Sequence, residues 1–425
     1  MPTNTTELST LIANGKYSVF FDDLYGNSCS NAQKERYISL LKKSHTLFAD
    51  NDDVKIFSAS GRTELCGNHT DHNGGCVIAG SLSLDMIAAT AKADYVTLIS
   101  DGYEPISFNL ENLHSDEACY GTTESIIKGV LYFFKQRGYN IGGFKAYVSS
   151  DVLKGSGMSS SAAFEILICT ILNDFYNGGK IDPIELSVIS QQAENVFFGK
   201  PCGLMDQLAC ACGGAVFIDF FDKDKPYVES ISCDVLNEHF SLCILDTGGN
   251  HSDLTDDYAN VPLDMHKVAE YLGVNRLADT SKQELYRALP QMFGNVSHRA
   301  ILRAVHFFDE NERVRTLSQA LKNGDIHTVC NMLNKSGDSS FEYLQNIYSP
   351  SDAAHQQIAL ALKLAKDFLH GEGACRVHGG GFAGTTLNLV PKLKTEEFKE
   401  YTDGIFGGGS CHVLNIRSKG GMCIG

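Results

Sequence analysis

Nine residues, Gly155-Ser156-Gly157-Met158-Ser159-Ser160-Ser161-Ala162-Ala163, limit what this chain can fold into more than any others do. Before them, Phe144, Ala146 and Val148 alternate with Lys145 and Tyr147, the period of a half-buried strand. After them, Phe164, Leu167, Ile168, Ile171, Leu172 and Phe175 follow the i, i+3, i+4, i+7 spacing of an amphipathic helix. A strand must therefore pass into a long helix through a turn of small residues. Such a turn lets backbone N–H groups face one point, and the first amides of the helix have no intrahelical acceptors, so an anion is welcome there. The hydroxyls of Ser159, Ser160 and Ser161 can bond phosphate oxygens or a metal. No Gly-Lys-Ser/Thr follows, so this is not a Walker A loop. An ordinary N-cap is the other reading open to the same residues.

Strand patterns fill the first part of the chain: residues 54–59, then 84–91 and 95–100, the last two as a hairpin across Lys92-Ala93-Asp94. A further helix begins at Asp182-Pro183, with Asp at the cap, Pro at the first helical position and Glu185 three residues on. The strand at residues 215–220 leads into Asp222-Lys223-Asp224-Lys225-Pro226, where a lobe boundary is expected, giving lobes of residues 1–222 and 223–425. Beyond it come a strand at 240–246, several helices between 262 and 371, two strands around Gly379-Gly380-Gly381, and a closing helix and strand. Strands and helices mix in both halves, which makes the class α+β or mixed α/β.

Charge and composition exclude whole classes. Lys and Arg number 35 against 51 Asp and Glu, a net charge of −16, whereas nucleic acid or an anionic membrane needs a basic face. No apolar run approaches the about 20 residues of a membrane helix. The start, Met1-Pro2-Thr3-Asn4-Thr5-Thr6-Glu7, lacks the basic and apolar regions of a secretory signal. The 14 Cys are scattered and fit reduced thiols, so a cytoplasmic protein is expected. Cys202, Cys210 and Cys212 lack the second pair or nearby His of a zinc site and read as small buried side chains.

Three further segments carry chemistry. In Gly61-Arg62-Thr63-Glu64-Leu65-Cys66-Gly67-Asn68-His69-Thr70-Asp71-His72-Asn73-Gly74-Gly75, polar and ionisable groups crowd a glycine-bounded stretch after a strand. Arg62 can lower the pKa of an acid or stabilise developing negative charge, and Asp71 can accept hydrogen bonds from sugar hydroxyls. A polar turn with capping His residues, or a two-ligand His-x-x-His metal site, are the alternatives. Glu194 lies on the polar side of its helix, while Asp206, in Gly203-Leu204-Met205-Asp206-Gln207, is bracketed by apolar residues and needs a partner or a function. The glycines of Arg376-Val377-His378-Gly379-Gly380-Gly381-Phe382-Ala383-Gly384 permit a tight turn or a close approach to a ligand.

Taken together and in this order, these segments resemble the galactokinase branch of the GHMP family of small-molecule kinases. Residues 61–75 are similar to the sugar signature of that branch, Gly-Arg-Val-Asn-Leu-Ile-Gly-Glu-His-Thr-Asp-Tyr-Asn-Gly-Gly. Residues 155–163 resemble its phosphate loop, 203–207 the segment with its base, and 376–384 its third motif. Arg303-Ala304-Val305-His306 to Asn311, and His251-Ser252 to Tyr258, extend the likeness over most of the chain. The resemblance implies an N-terminal mixed lobe of the ribosomal-protein-S5 type, a C-terminal ferredoxin-like lobe, and a cleft for Mg-ATP and sugar. It makes Asp206 the catalytic base and Arg62 its neighbour at the anomeric hydroxyl. Asn68, His69, Asp71, Gly203 and Tyr258 become sugar contacts. Gly155, Ser156, Gly157, Met158, Ser159, Ser160 and Ser161 become the ATP cradle, with Ser160 and Glu194 as magnesium ligands. The activity implied is transfer of the γ-phosphoryl group of ATP to the C1 hydroxyl of galactose by a monomeric enzyme.

Departures from the pattern bear on the sugar. Asn68 stands where the family has Glu near C6 of the sugar, which removes a charge that would repel a C6 carboxylate. Galacturonate is therefore an alternative substrate, beside N-acetylgalactosamine and arabinose. His72 replaces Tyr, Ser60 and Leu153 each replace Pro, and no Arg-Arg pair follows Tyr258. A non-catalytic galactose sensor is a further alternative, against which the intact Ser159-Ser160-Ser161, Asp206 and Arg62 argue.

Overall fold

The computed structural model describes residues 4–26, 29–48, 53–152, 157–223, 225–248 and 254–424. Helices α1 (Thr5–Ala13), α2 (Ser18–Tyr25) and α3 (Ser30–Phe48) open the chain and bury Leu8, Phe21, Tyr37 and Leu41 against Ile56, Ile87 and Tyr147 of a large sheet. That sheet begins with β1 (Lys55–Cys66), β2 (Cys76–Ala93), β3 (Val96–Ser100) and β4 (Ile106–Phe108). It continues, around α4 (Thr123–Gln136), with β5 (Gly143–Ser150). Three helices follow, α5 (Ser160–Asn177), α6 (Pro183–Ala193) and α7 (Met205–Cys212), and then β6 (Ala215–Asp219) and β7 (Tyr227–Ile231). Helices α4, α5 and α6 cover the face opposite α1–α3, with Ile127, Val130, Ile166, Ile171 and Ile189 buried in the main core. Asp182 caps α6 by accepting from the Ile184 amide, with Pro183 at the first turn, as its sequence predicts.

After a short helix, α8 (Asp234–His239), the second sheet starts with β8 (Phe240–Asp246). Helices α9 (Thr255–Tyr271), α10 (Lys282–Met292), α11 (His298–Asn323), α12 (Ile326–Ser339) and α13 (Gln357–Leu369) follow. Strands β9 (Ala374–Val377) and β10 (Thr385–Pro391), helix α14 (Thr395–Phe406), strand β11 (Cys411–Leu414) and a last strand, β12 (Met422–Cys423), complete the chain. The second sheet is antiparallel in the order β11-β8-β10-β9, which is the fourth, first, third and second of its strands, with helices between the first and second and between the third and fourth. This is the ferredoxin-like βαββαβ arrangement that the resemblance implies.

The first sheet runs β12-β1-β2-β5-β3-β4, and β2 is long enough to pair also with β6, which pairs with β7. Residues 84–91 and 95–100 are strands, as their alternation predicts, but they are not hairpin partners. β5 lies between them, antiparallel to β2 and parallel to β3. Gly143 makes this possible, because a Cβ there would stand 2.5 Å from the Tyr95 backbone where the chain crosses the start of β5. Residues 222–226 join β6 to β7 within this sheet, and β12 returns to pair with β1, so both ends of the second lobe are stitched into the first. Among the described residues no helix is long and apolar enough to cross a membrane. All 14 cysteines are free thiols.

Candidate active site

The ends of β1, α5 and α7 meet at one ion pair. Arg62 on β1 gives Asp206, in the first turn of α7, two parallel contacts, Nε to Oδ1 at 2.7 Å and Nη2 to Oδ2 at 2.9 Å. Arg62 Nη1 also donates to the Gly157 carbonyl, and its own amide donates to the Met158 carbonyl at 3.1 Å. Ser159 precedes α5 in the left-handed region at φ 53°, and its hydroxyl donates to Asp206 Oδ2 and accepts no hydrogen bond from an amide of its own helix. Ser159 therefore stands at the N-cap position, its carbonyl accepting from the Ala163 amide at 3.1 Å, but does not cap the helix through its side chain. Burial alone would raise the Asp206 carboxyl pKa, but the Arg62 charge, the Arg62 hydrogen bonds and the Ser159 hydroxyl outweigh it and hold the group below the usual range.

Around this pair the predicted residues are brought together unevenly. Gly203 faces Asp71, since a Cβ on it would lie 3.1 Å from Asp71 Oδ2. Burial pushes the Asp71 carboxyl up, and nearby Asp206 adds to this against the His69 charge. His69, at φ 57°, has its Nε2 3.0 Å from the Gly380 carbonyl, and Tyr258 Oη donates to the Gly381 carbonyl at 2.8 Å. Met158 turns its side chain into the core and offers only backbone. Leu153, Gly155, Ser156, His251 and Ser252 lie outside the described residues.

Asn68 is not open to a ligand in this arrangement. Only 1% exposed, it donates through Nδ2 to Glu64 Oε1 at 3.2 Å and to the Gly379 carbonyl at 2.7 Å, and accepts at Oδ1 from Asn346 at 2.7 Å. His69 and His72 do not form a metal pair: their rings are 6.0 Å apart, and His72 turns Nδ1 to Asn73. Burial, with His69 and His266 close by, pushes the His72 pKa down to about 3, so the ring is neutral.

Glu194 sits where α6 widens into a π-type turn over Glu194–Phe198 and is 2% exposed. Its Oε2 accepts from Gln207 at 2.9 Å and its Oε1 from Lys200 at 3.0 Å. Gln207 also donates to Glu165 at 3.3 Å, whose carboxyl pKa is pushed well up by burial first and by Glu194 second. Among the described residues no group of three His, Cys, Asp or Glu side chains can hold a metal by itself. That suits magnesium, which takes one or two protein oxygens together with substrate phosphates. A buried carboxylate countered by a half-exposed lysine is a donor of this kind.

The structure adds features whose arrangement the sequence motifs do not show. A cavity of about 430 Å³, lined by Met86, Leu98, Ile106, Val148 and Phe164, opens beside Ser160 and Ser161. Helix α11 clamps the polar segment from behind. Glu310 accepts from the Gly67 amide at 3.0 Å and from Ser336 at 2.5 Å, Asn311 accepts from the Cys76 amide at 2.6 Å, and His306 Nε2 lies 2.9 Å from the Asn68 carbonyl. Buried Arg376 donates to the Leu65 carbonyl at 2.6 Å and to Glu64 Oε1 at 3.1 Å. Their signals were the likeness of residues 303–311 and the arginine at the head of the third motif.

Residues 125–214 match the family model of the GHMP kinases N terminal domain, and residues 45–92 match the galactokinase galactose-binding signature. The galactokinase of Pyrococcus furiosus is 31% identical over 337 residues, 79% of this chain and 89% of that protein. That of Streptomyces coelicolor is 30% identical over 344 residues, 79% of this chain and 84% of its own length. The chain belongs to the galactokinase family of GHMP kinases. It has the fold of the Lactococcus lactis galactokinase solved with galactose, with a TM-score of 0.76 at 22% identity over 90% of this chain and 98% of that one. The mevalonate kinase of Methanococcus jannaschii follows at TM-score 0.59 and 16% identity, over 86% of this chain and 99% of its own. As a galactokinase-family member the chain is a phosphotransferase with an alcohol acceptor.

Proposed function

We propose that this chain phosphorylates the C1 hydroxyl of galactose with ATP, giving α-galactose 1-phosphate and ADP. The observation that carries the reading is the paired contact of Arg62 with Asp206 beside the Ser159 hydroxyl, at the head of α5. In this reading Asp206 takes the proton of the anomeric hydroxyl while Arg62 keeps it ionised and aims it. A carboxylate of depressed pKa is adequate for this, because phosphoryl transfer through a loose transition state asks little of the nucleophile until late. The backbone of residues 155–161 and the serine hydroxyls receive the phosphates, and the cavity beside Ser160 and Ser161, of mixed polar and apolar lining, takes the adenosine end. Asp71, Gly203, His69 and Tyr258 surround the sugar, and Asn68 holds that wall in place. Ser160 and Glu194 hold magnesium, which neutralises phosphate charge when bound. We place the enzyme in the cytoplasm, on its free thiols, and take it to act as a monomer.

One observation favours a second reading. With Asn68 consumed inside the protein and Glu64 neutralised by Arg376, the wall near residue 68 presents no free carboxylate, which suits a sugar with an anionic C6 such as galacturonate. ADP release over a panel of galactose, galacturonate, N-acetylgalactosamine and arabinose separates the readings. Galactose is expected to give the highest kcat/KM, with an α-linked phosphate by phosphorus NMR. A higher kcat/KM for another sugar would overturn galactose as substrate, and binding of every sugar without turnover would make the chain a sensor.

A further inference from the structure

The turn between β9 and β10 is held by its own carbonyl oxygens. Gly379 accepts from Asn68 Nδ2 at 2.7 Å, the Gly380 carbonyl lies 3.0 Å from His69 Nε2, and Gly381 accepts from Tyr258 Oη at 2.8 Å. Three successive carbonyls are thus each met by a different residue of the proposed sugar wall. A run of glycines loses more backbone freedom on ordering than any other sequence. Gly379 and Gly381 stand in the left-handed region at φ 69° and 85°, and Phe382 follows at φ 60°, a costly conformation for a residue with a Cβ. Such a turn keeps its place only where side chains fix it.

A fourth side chain fixes it from outside the sugar contacts. Asn346 is fully buried, and its amide bridges the two segments of the wall: Nδ2 donates to Asn68 Oδ1 at 2.7 Å and to the Gly380 carbonyl at 2.9 Å. The Phe382 amide donates to the Asn346 carbonyl, and a Cβ on Gly381 would stand 2.6 Å from Asn346 Nδ2, so a glycine there is what admits the amide. Asn346 follows a second π-type turn, Ser340–Leu344, and Gln345 in the left-handed region at φ 58°. That turn is anchored to α11, because buried Arg303 donates to the Leu344 carbonyl at 3.1 Å.

The other half of the amide shows which half matters. Asn346 Oδ1 is buried, and among the described residues nothing donates to it. An acceptor left in this way is unfavourable, and an apolar side chain would not incur the cost. The amide is therefore kept for its two N–H groups, both of which go to the wall.

We infer that Asn346 is a positioning residue for the sugar, locking Asn68 and the Gly379–Gly381 turn to each other and, through Gly380, fixing His69. His69 and Tyr258 have to serve both the turn and the sugar. Asn346 serves the turn alone and holds it while they are engaged. A wall ordered in advance spares the ligand the cost of ordering it, so the effect falls on sugar affinity and leaves the Arg62–Asp206 pair untouched. The inference rests on the proposed function to the extent that His69 and Tyr258 bind sugar.

The test is Asn346→Ala. It removes both donors and the orphan acceptor together, while Asn68 Oδ1 becomes an orphan in its turn and Gly380 keeps His69, so the thermal midpoint is expected to stay close to wild type. KM for galactose is expected to rise about three- to tenfold, the scale of one net hydrogen bond, with kcat and KM for ATP within about twofold of wild type. Galactose binding measured by calorimetry without nucleotide is expected to weaken by the same factor. Asn346→Ser retains one donor and is expected to lie between the two; should the alanine variant not fold, the serine variant decides. If wild type neither binds nor turns over galactose, the proposed function falls and this inference with it. If wild type binds galactose and the folded variant binds it equally tightly, or if both KM values rise together with a fallen midpoint, the inference alone is overturned.

Discussion

The Asn68 amide donates to the Glu64 carboxylate at 3.2 Å, and the two residues stand in the reverse order to the Asn and Glu of the galactokinase signature. The exchange is intelligible from what faces each position. Position 64 has Arg376, fully buried and 3.1 Å away, to neutralise a carboxylate. Position 68 has the Gly379 carbonyl at 2.7 Å, which needs a donor. An acid at 64 and an amide at 68 satisfy both neighbours.

Asn68→Glu therefore sets a carboxylate against a carbonyl oxygen in a nearly sealed site. It should destabilise the fold by about 3–5 kcal/mol, the usual cost of an uncompensated buried charge. Glu64→Asn should also be unfavourable, because it leaves Arg376 without its carboxylate. The double variant keeps one acid and one amide but faces them to the wrong partners, so it should recover only part of the loss. Urea denaturation of the three proteins checks this; an Asn68→Glu protein as stable as wild type would show that another group neutralises position 68.

Asp206→Asn keeps the shape of the Arg62 contact and removes the proton acceptor. Turnover should fall about 10²- to 10⁴-fold with the thermal midpoint little changed. Because Arg62 and Ser159 oppose the effect of burial, the acidic limb of the wild-type kcat/KM profile should lie below the ordinary carboxylate range. Ser159→Ala removes one stabilising donor, so that limb should move to higher pH. A limb that stays fixed would mean that another group titrates there.

Residues whose chemistry is local were legible in the sequence, and those whose role depends on a neighbour from afar were not. The turn at 157–161, Asp182-Pro183 and the strand at 240–246 carry their own signals in spacing and small-residue content. The pairing of β2 with β5 instead of β3 depends on a backbone crossing at Gly143, which alternation cannot register. Among the proposed site residues, Arg62 and Asp206 stand out in the sequence because a charged side chain lies beside a glycine or an apolar residue, and Asp71 because it falls in a glycine-bounded polar stretch. The burial of Asn68 cannot be read from its sequence neighbours, because its partners Gly379 and Asn346 lie more than two hundred residues away. Glu310 and Arg376, the buried charges that hold residues 64–67 from behind, show in the sequence only through the likeness of residues 303–311 and of the third motif, since their partners are equally distant.

His306 ties stability to pH. Burial, despite nearby Glu310, lowers its pKa from 6.5 to about 4, so the folded state keeps it neutral where the unfolded chain takes a proton. A depressed pKa contributes stability that is complete above about pH 6.5 and is lost as pH falls toward 4, at up to about 1.4 kcal/mol per unit. His72 acts in the same direction, so the decisive comparison is with His306→Gln, whose stability should fall less steeply by one proton across that window. Equal slopes by denaturant titration at pH 4.5 to 6.5 would refute the assignment.

Glu194→Gln retains the shape of the π-type turn and one acceptor for Gln207 but loses the charge. The magnesium concentration for half-maximal turnover should rise at least about tenfold, with KM for the sugar unchanged. Magnesium-dependent ADP binding should weaken in parallel. Unaltered magnesium dependence in both measurements would remove Glu194 from the proposed metal site.

Gly380 tests how closely the third motif must approach the proposed sugar site. A Cβ there would stand 2.4 Å from Cε1 of Tyr258. That ring cannot simply retreat, since its hydroxyl is bonded to the Gly381 carbonyl and Phe382 packs edge-on at 5.3 Å. Gly380→Ala should therefore displace Tyr258 and also disturb the Gly380 carbonyl that meets His69 and Asn346, so two predicted sugar contacts move at once. KM for the sugar should rise more than KM for ATP. Gly404→Ala is the control: it lies inside α14 with no atom within 4 Å of a new Cβ, and should stabilise the fold by about 0.5–1 kcal/mol without touching either KM. A Gly380→Ala enzyme with wild-type sugar KM would mean that Tyr258 contributes nothing to sugar binding, and that the glycine serves only the turn between β9 and β10.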